Sequence, residues 1–73
     1  MPRTPTQARA ARKLRRDNPW ITANPDAAAL AQQLVYLAST MDTQAATMNR
    51  VSERLARTYL DTRTALLDLN PGA

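Results

Sequence analysis

Apolar side chains recur at intervals of three or four residues in the middle of the chain, at Leu30, Leu34, Leu37 and Met41. This spacing places side chains on one face of an α-helix. The stripe follows "NPD" at residues 24–26, where asparagine is a favourable N-cap, proline suits the first helical position and aspartate suits the first turn. The pattern predicts a helix that begins at Pro25 and extends to about Met41.

The chain beyond Met41 admits two interpretations. In the first, a loop over residues 42–47 turns the chain back, and a helix over about residues 48–69 completes an antiparallel hairpin, because this segment contains Ser, Thr, Asp and Asn side chains that compete for backbone hydrogen bonds. In the second, one helix covers residues 25–69, because the apolar rhythm continues across the supposed loop. We favour the hairpin, since a single long helix would need another subunit to cover its stripe.

Another helix is predicted at the N-terminal end. The stretch "TPTQ" at residues 4–7 matches a capping box with proline at the first helical position. Pro19 in "DNPW" disfavours helix beyond Asn18, so we expect a helix over about residues 5–16. The expected fold class is all-α and oligomeric, with three helices in three segments: a basic N-terminal helix in residues 1–18, a connector in 19–24 and an antiparallel helical hairpin in 25–73.

Charge is concentrated in the first of these segments. The net charge of the chain is +4, of which residues 1–18 carry +5 and residues 19–73 carry −1. At about 100° per residue, four basic side chains of the first helix share one arc, with a fifth at its edge, and three small or apolar side chains face the other way. The basic set is Arg9, Arg12, Lys13 and Arg16 with Arg15 at the edge, and the opposite set is Ala10, Ala11 and Leu14.

Clustered arginines indicate a partner that carries phosphate groups. They neutralise phosphates and release counterions, and the planar guanidinium group matches phosphate geometry. We therefore expect nucleic acid to bind at Arg3, Arg9, Arg12, Lys13, Arg15, Arg16 and Trp20. Two alternatives stay open: the basic side chains only solvate the helix, or they meet an acidic protein. Trp20 either stacks on a base or anchors the core, and its size favours the anchor.

The composition argues against catalysis and against a membrane span. Without Cys or His, the chain cannot form a disulfide or a zinc site of the usual ligands, and Gly72 is its one glycine, which excludes a Gly-rich phosphate loop. We expect no enzymatic activity, no cofactor and no small-molecule substrate. No apolar run approaches the roughly 20 residues that a bilayer requires, and no signal peptide is expected, so we predict a cytoplasmic protein.

The apolar stripe of the hairpin predicts self-association or docking on a helical partner, because two helices alone leave much apolar surface uncovered. The expected interface consists of Leu34, Leu37, Met41, Met48, Val51, Leu55 and Tyr59. On the last helix, Glu53 with Arg57 and Arg57 with Asp61 have the spacing of surface ion pairs, which supports a helix there.

The body resembles a known group of proteins. The stretches "LAQQLVYLASTMD" and "VSERLARTYLDTRTALLDL" are similar to the helical region of terminase small subunits from actinobacterial phages, over about half the chain. That resemblance implies a helical hairpin that oligomerises and a protein that binds viral DNA for packaging. It makes DNA the preferred nucleic acid and the host cytoplasm the expected location.

The N-terminal segment resembles a different group. The stretch "TQARAARKLRRDNPW" is similar to the arginine-rich RNA-binding helices of lambdoid phage antitermination proteins, in which a tryptophan closely follows a short basic helix. This resemblance implies phosphate contacts from the five basic residues and base stacking by Trp20. The sequence therefore predicts a non-enzymatic nucleic-acid-binding and assembly protein, with a virion adaptor or an RNA-binding regulator as the alternatives.

Overall fold

The computed structural model describes residues 4–72, which form four α-helices and no strand. The helices are α1 (Pro5–Asp17), α2 (Trp20–Ala23), α3 (Pro25–Met48) and α4 (Glu53–Asp68). Helix α3 packs against the other three, whereas the backbones of α1 and α4 do not approach each other closely. The predicted all-α class is confirmed. Among the described helices, none is both long enough and apolar enough to cross a membrane.

Side-chain caps fix the starts of α1 and α3 where the sequence predicts them. At α1, the Thr4 hydroxyl accepts a hydrogen bond from the Gln7 amide at 3.1 Å, and the Thr4 amide donates to Gln7 Oε1 at 3.2 Å. At α3, Asn24 Oδ1 accepts from the amides of Asp26 and Ala27 at 3.0 and 3.3 Å. Each cap satisfies amides that a helix leaves without partners in its first turn.

The predicted loop over residues 42–47 is wrong, because those residues belong to α3. The hydroxyls of Thr43 and Thr47 donate to the carbonyls of Ser39 and Thr43, at 3.1 and 2.8 Å. Bonds of this kind to the carbonyl four residues earlier are compatible with helical backbone, so these threonines do not end the helix. Helix α3 ends at Met48, and Asn49 follows in the left-handed conformation with φ 59°.

The alternative of one helix over residues 25–69 is also wrong, because the chain reverses at residues 49–52. Gln44 Oε1 accepts a hydrogen bond from the Ser52 amide at 2.9 Å, which ties the end of the loop to α3. The Ser52 hydroxyl then accepts from the Leu55 amide at 3.4 Å and caps α4. Helix α4 therefore begins at Glu53 rather than near Met48, and α3 and α4 form the predicted antiparallel hairpin.

The core lies where α2 and α4 meet the first half of α3. Ile21 of α2 is fully buried and is surrounded by side chains of α3 and by Leu66 of α4. The buried cluster comprises Ile21, Ala27, Ala31, Leu34 and Leu66. The connector is therefore a structural element, because its short helix inserts the most buried large side chain of the described residues.

This core corrects two of the predicted interface residues. Leu34 and Leu37 are only 9% and 8% exposed within a single chain. The reason is that the chain covers much of its own apolar stripe, because α1, α2 and α4 all pack against α3. Leu34 and Leu37 therefore belong to the core of the single chain.

Candidate nucleic-acid interface

Helix α1 lies antiparallel to α3 and contacts it through small side chains. Thr6 near the start of α1 shares a groove with Asp42 late in α3, whereas Arg15 near the end of α1 lies beside Ala28 early in α3. Ala11 is buried in this contact. Because alanine lets two helices approach closely, the inner face of α1 seats on the body and its outer face points to solvent.

Between Arg9 and Arg16, every charged side chain of α1 is basic. We call the surface of these side chains the cationic face, and its five members line one open depression: Arg9, Arg12, Lys13, Arg15 and Arg16. Arg15 is half-buried and the other four are exposed. The structure thus brings together all five basic residues of α1 that the sequence proposes for binding, and Arg15 lies at the edge as predicted.

The cationic face is hardly neutralised by the protein itself. Within residues 4–72, the one ion pair joins Arg16 Nε to Asp17 Oδ1 at 3.8 Å, and the two side chains are 75% and 55% exposed. Exposed pairs of this kind contribute about 0–1 kcal/mol and are screened by salt. Among residues 4–72, no carboxylate lies within ion-pair distance of the exposed Arg9, Arg12 and Lys13 or of the half-buried Arg15, so their charge is available to an anionic partner.

The two remaining residues proposed for binding differ in their positions. Arg3 lies outside the described residues. Trp20, at the start of α2, is half-buried and packs against the core cluster. The indole therefore anchors the turn between α1 and α3, as its size favours, while a stacking role for its exposed part stays a prediction.

The other predicted interface residues lie along the hairpin at various depths. Met41, Val51, Leu55 and Tyr59 are half-buried, and Met48 is 60% exposed. Sequence reasoning missed three exposed large apolar side chains: Tyr36, Leu60 and Leu67. Leu60 and Leu67 are seven residues apart on α4, a spacing that places them on one face and that the periodicity of the core stripe does not select.

The outer surface of α4 carries charges of both signs. Its exposed charged residues are Glu53, Arg54, Arg57, Asp61, Arg63 and Asp68, with no net charge. The pairs expected between Glu53 and Arg57 and between Arg57 and Asp61 do not form within 4.0 Å in the described structure. Exposed pairs gain little Coulomb energy in water and lose side-chain entropy on forming, which explains their absence.

A groove of about 240 Å³ separates α1 from α4. Ala10 and Leu14 of α1 form one wall and Tyr59 of α4 contributes to the other, while α3 supplies an apolar floor that includes Ala38. Ser39 and Asp42 of α3 add polar groups to the lining. The sequence does not predict this groove. The small side chains at positions 10 and 38 leave space for it only because three helices pack around them, and the sequence does not show that packing.

The described residues contain no cluster of side chains that could hold a metal ion. The surface combines fixed positive charge on α1 with a partly apolar groove beside it. Comparisons of the chain with protein-family models, with curated proteins and with solved structures give no match, so its resemblance to phage proteins stays a prediction.

Proposed function

We propose that this protein binds nucleic acid by holding phosphate groups on the cationic face of α1. The observation that carries the proposal is the gathering of five basic side chains on one surface, where the exposed Asp17 carboxylate is their one ion-pair partner among the described residues. A structural surface gains from interspersed charges of both signs, as on α4. A surface of one sign instead attracts an anionic ligand.

The dimensions of the cationic face suit a short stretch of sugar-phosphate backbone. Arg9 and Arg16 are seven residues apart, which is about 10.5 Å along a helix. One strand of nucleic acid advances about 3.4 Å per phosphate, so the face spans about three steps of a strand. About four phosphates can be contacted at once, given the reach of the side chains. Such contacts give affinity with little dependence on base sequence.

DNA is our preferred ligand on the resemblance to terminase small subunits alone, and a role in packaging rests on the same resemblance. Self-association belongs to the same proposal. With Leu34 and Leu37 buried, its support is the exposed apolar surface that includes Met48, Leu60 and Leu67. The competing proposal is a protein partner with an acidic surface, which the following experiment distinguishes.

The proposal is tested by fluorescence anisotropy of labelled single-stranded and duplex oligonucleotides at salt concentrations between 50 and 200 mM. Release of counterions from about four phosphates predicts a slope of log K against log salt near −2.8 for a single strand, or about a fiftyfold loss of affinity over this range. The variant with Arg12→Ala and Arg16→Ala loses two contacts and should flatten that slope by about 1.4.

The matched control carries Arg54→Ala and Arg57→Ala on α4. It removes the same charge from exposed helical positions where alanine is well tolerated, so it separates the effect of location from that of net charge. Its slope should stay close to that of the unmodified protein. Absence of binding to every oligonucleotide at 50 mM salt would refute the proposal, as would equal effects of the two double substitutions.

A further inference from the structure

We propose that the groove between α1 and α4 receives an unpaired nucleobase from a single strand whose phosphates lie on the cationic face. This inference rests on the proposed function and adds the kind of nucleic acid to it. The ligand is then single-stranded, or contains an unpaired base, because the bases of a regular duplex are stacked in its interior and are not free to enter a groove between helices.

The groove directly adjoins the cationic face. Ala10, in the wall of the groove, follows Arg9 in the chain, and Leu14 in the same wall follows Lys13. Consecutive residues of a helix are about 100° apart, so the wall and the charged surface are neighbouring sides of α1. A strand that runs along the charged side therefore has its bases within reach of the groove.

The volume of the groove suits one base. Pockets for drug-sized ligands have volumes of about 300–1,000 Å³, and this groove, at about 240 Å³, lies just below that range. The groove is open to solvent, and Ala10 and Asp42 of its lining are exposed. A folded peptide segment would need a longer apolar trough than the single space beside Ala10, Leu14 and Tyr59.

The lining combines the two features that bind a base. Leu14 and the α3 floor provide apolar surface for the faces of a ring, and the Tyr59 side chain adds an aromatic group. Stacking of a base on an aromatic side chain contributes about 1–3 kcal/mol in single-strand binding proteins. The Ser39 hydroxyl and the Asp42 carboxylate provide hydrogen-bonding groups for the polar edge of a base, which a purely apolar occupant would leave unpaired.

Charge complementarity also favours a nucleotide over an apolar protein segment. The cations lie on the adjoining side of α1, and the one charged side chain in the lining of the groove is Asp42. A nucleotide suits both surfaces, because one covalent unit carries a phosphate for the cationic face and a ring with amino groups that can donate hydrogen bonds to a carboxylate. An amphipathic peptide with acidic residues has a similar combination over a longer span. It is therefore the competing occupant.

The test compares a single-stranded oligonucleotide with the same strand containing abasic sites, which keep every phosphate and remove the bases. The unmodified protein should bind the complete strand roughly tenfold more tightly than the abasic strand. Ala10→Leu places a larger side chain in the groove at an exposed helical position, and it should abolish this difference without changing the salt dependence. Ala29→Leu, exposed on α3 and outside the lining of the groove, is the matched control and should retain the difference.

The outcomes distinguish a failure of this inference from a failure of the proposed function. Equal binding of the two strands with a steep salt dependence would overturn the inference and leave phosphate binding by α1 in place. Binding of neither strand would overturn both. A third outcome is that an acidic amphipathic peptide binds, that Ala10→Leu weakens its binding, and that the complete and abasic strands bind equally. The occupant would then be a protein, and the inference would be wrong. Circular dichroism establishes that each variant is as helical as the unmodified protein.

Discussion

Helices α1 and α4 lie against α3 and expose basic side chains to solvent, yet their outer surfaces are organised differently. Helix α4 exposes three arginines together with three carboxylates, whereas α1 exposes its basic residues beside a single carboxylate at its end. The two surfaces therefore differ in how their charges are arranged and not only in how many cations they carry. What distinguishes α1 is that its neighbouring charges share one sign, so that their potentials add.

The largest expected effect comes from reversing the charge of the α1 surface. Arg12→Glu with Arg16→Glu removes two phosphate contacts and introduces two repulsions, and should weaken single-strand binding at 50 mM salt by roughly a thousandfold. Anisotropy titration measures this loss. Arg54→Glu with Arg57→Glu changes the net charge equally on α4 and should cost less than about tenfold. Losses of similar size would mean that only the total charge matters and would remove the contrast between the helices.

A second large effect is expected in the core, where α2 places Ile21 against α3 and α4. Ile21→Ala empties the most buried large position and should lower the free energy of unfolding by about 3 kcal/mol, measured by urea denaturation. Thr22→Ala, exposed on the same short helix, should change it by less than about 0.5 kcal/mol. Equal urea midpoints for the two variants would show that α2 does not anchor the fold.

The caps of the two helices offer a smaller and more local comparison. Thr4→Ala removes the reciprocal cap of α1 and should cost about 1 kcal/mol in its first turn, which corresponds to about fivefold faster exchange of the Ala8 amide. Ser52→Ala removes a single 3.4 Å bond at α4 and should have less effect on the equivalent amide of Ala56. NMR-detected hydrogen exchange measures both amides. A larger effect at α4 would contradict this ranking of the caps.

The smallest effect is expected from making α4 more like α1. Glu53→Gln with Asp61→Asn removes two of its carboxylates and leaves its arginines in place, and should raise single-strand affinity at 50 mM salt by no more than about threefold. The same anisotropy titration detects the change. A gain of a hundredfold would show that α4 competes with α1 as the binding surface once its acids are removed.

The local signals in the sequence were sufficient to predict where α1 and α3 begin. Thr4 and Asn24 each precede a proline and have side chains that reach amides two or three residues later, so the signal is contained in four adjacent residues. The amphipathic division of α1 was predicted for the same reason, because helical geometry alone determines which side chains share an arc.

Features that depend on contacts between distant residues were not predicted. The end of α3 depends on Gln44 accepting a hydrogen bond from the Ser52 amide, eight residues later, and on threonine side chains that bond to their own helix. The burial of Leu34 and Leu37 depends on how other helices cover α3. An apolar pattern shows that one face of a helix must be buried, but it does not show whether the same chain or another molecule buries that face.

The burial of Ile21 was not predicted, because α2 is too short to show a repeat of apolar positions. Four residues form one helical turn, and a repeat requires at least two. The groove between α1 and α4 was not predicted either, because its lining comes from three separate helices whose packing the sequence pattern does not show. Of the candidate site, the sequence thus predicted the charged surface and not the space beside it.

The most direct test of the central claim is an NMR titration of isotopically labelled protein with a single-stranded oligonucleotide, followed through the backbone amide and arginine side-chain signals. We predict that the signals of residues 9–16 shift progressively with added strand, while those of Arg54 and Arg57 on α4 stay near their starting positions. Shifts centred on α4, or distributed evenly over both helices, would contradict the assignment of binding to the single-sign surface of α1.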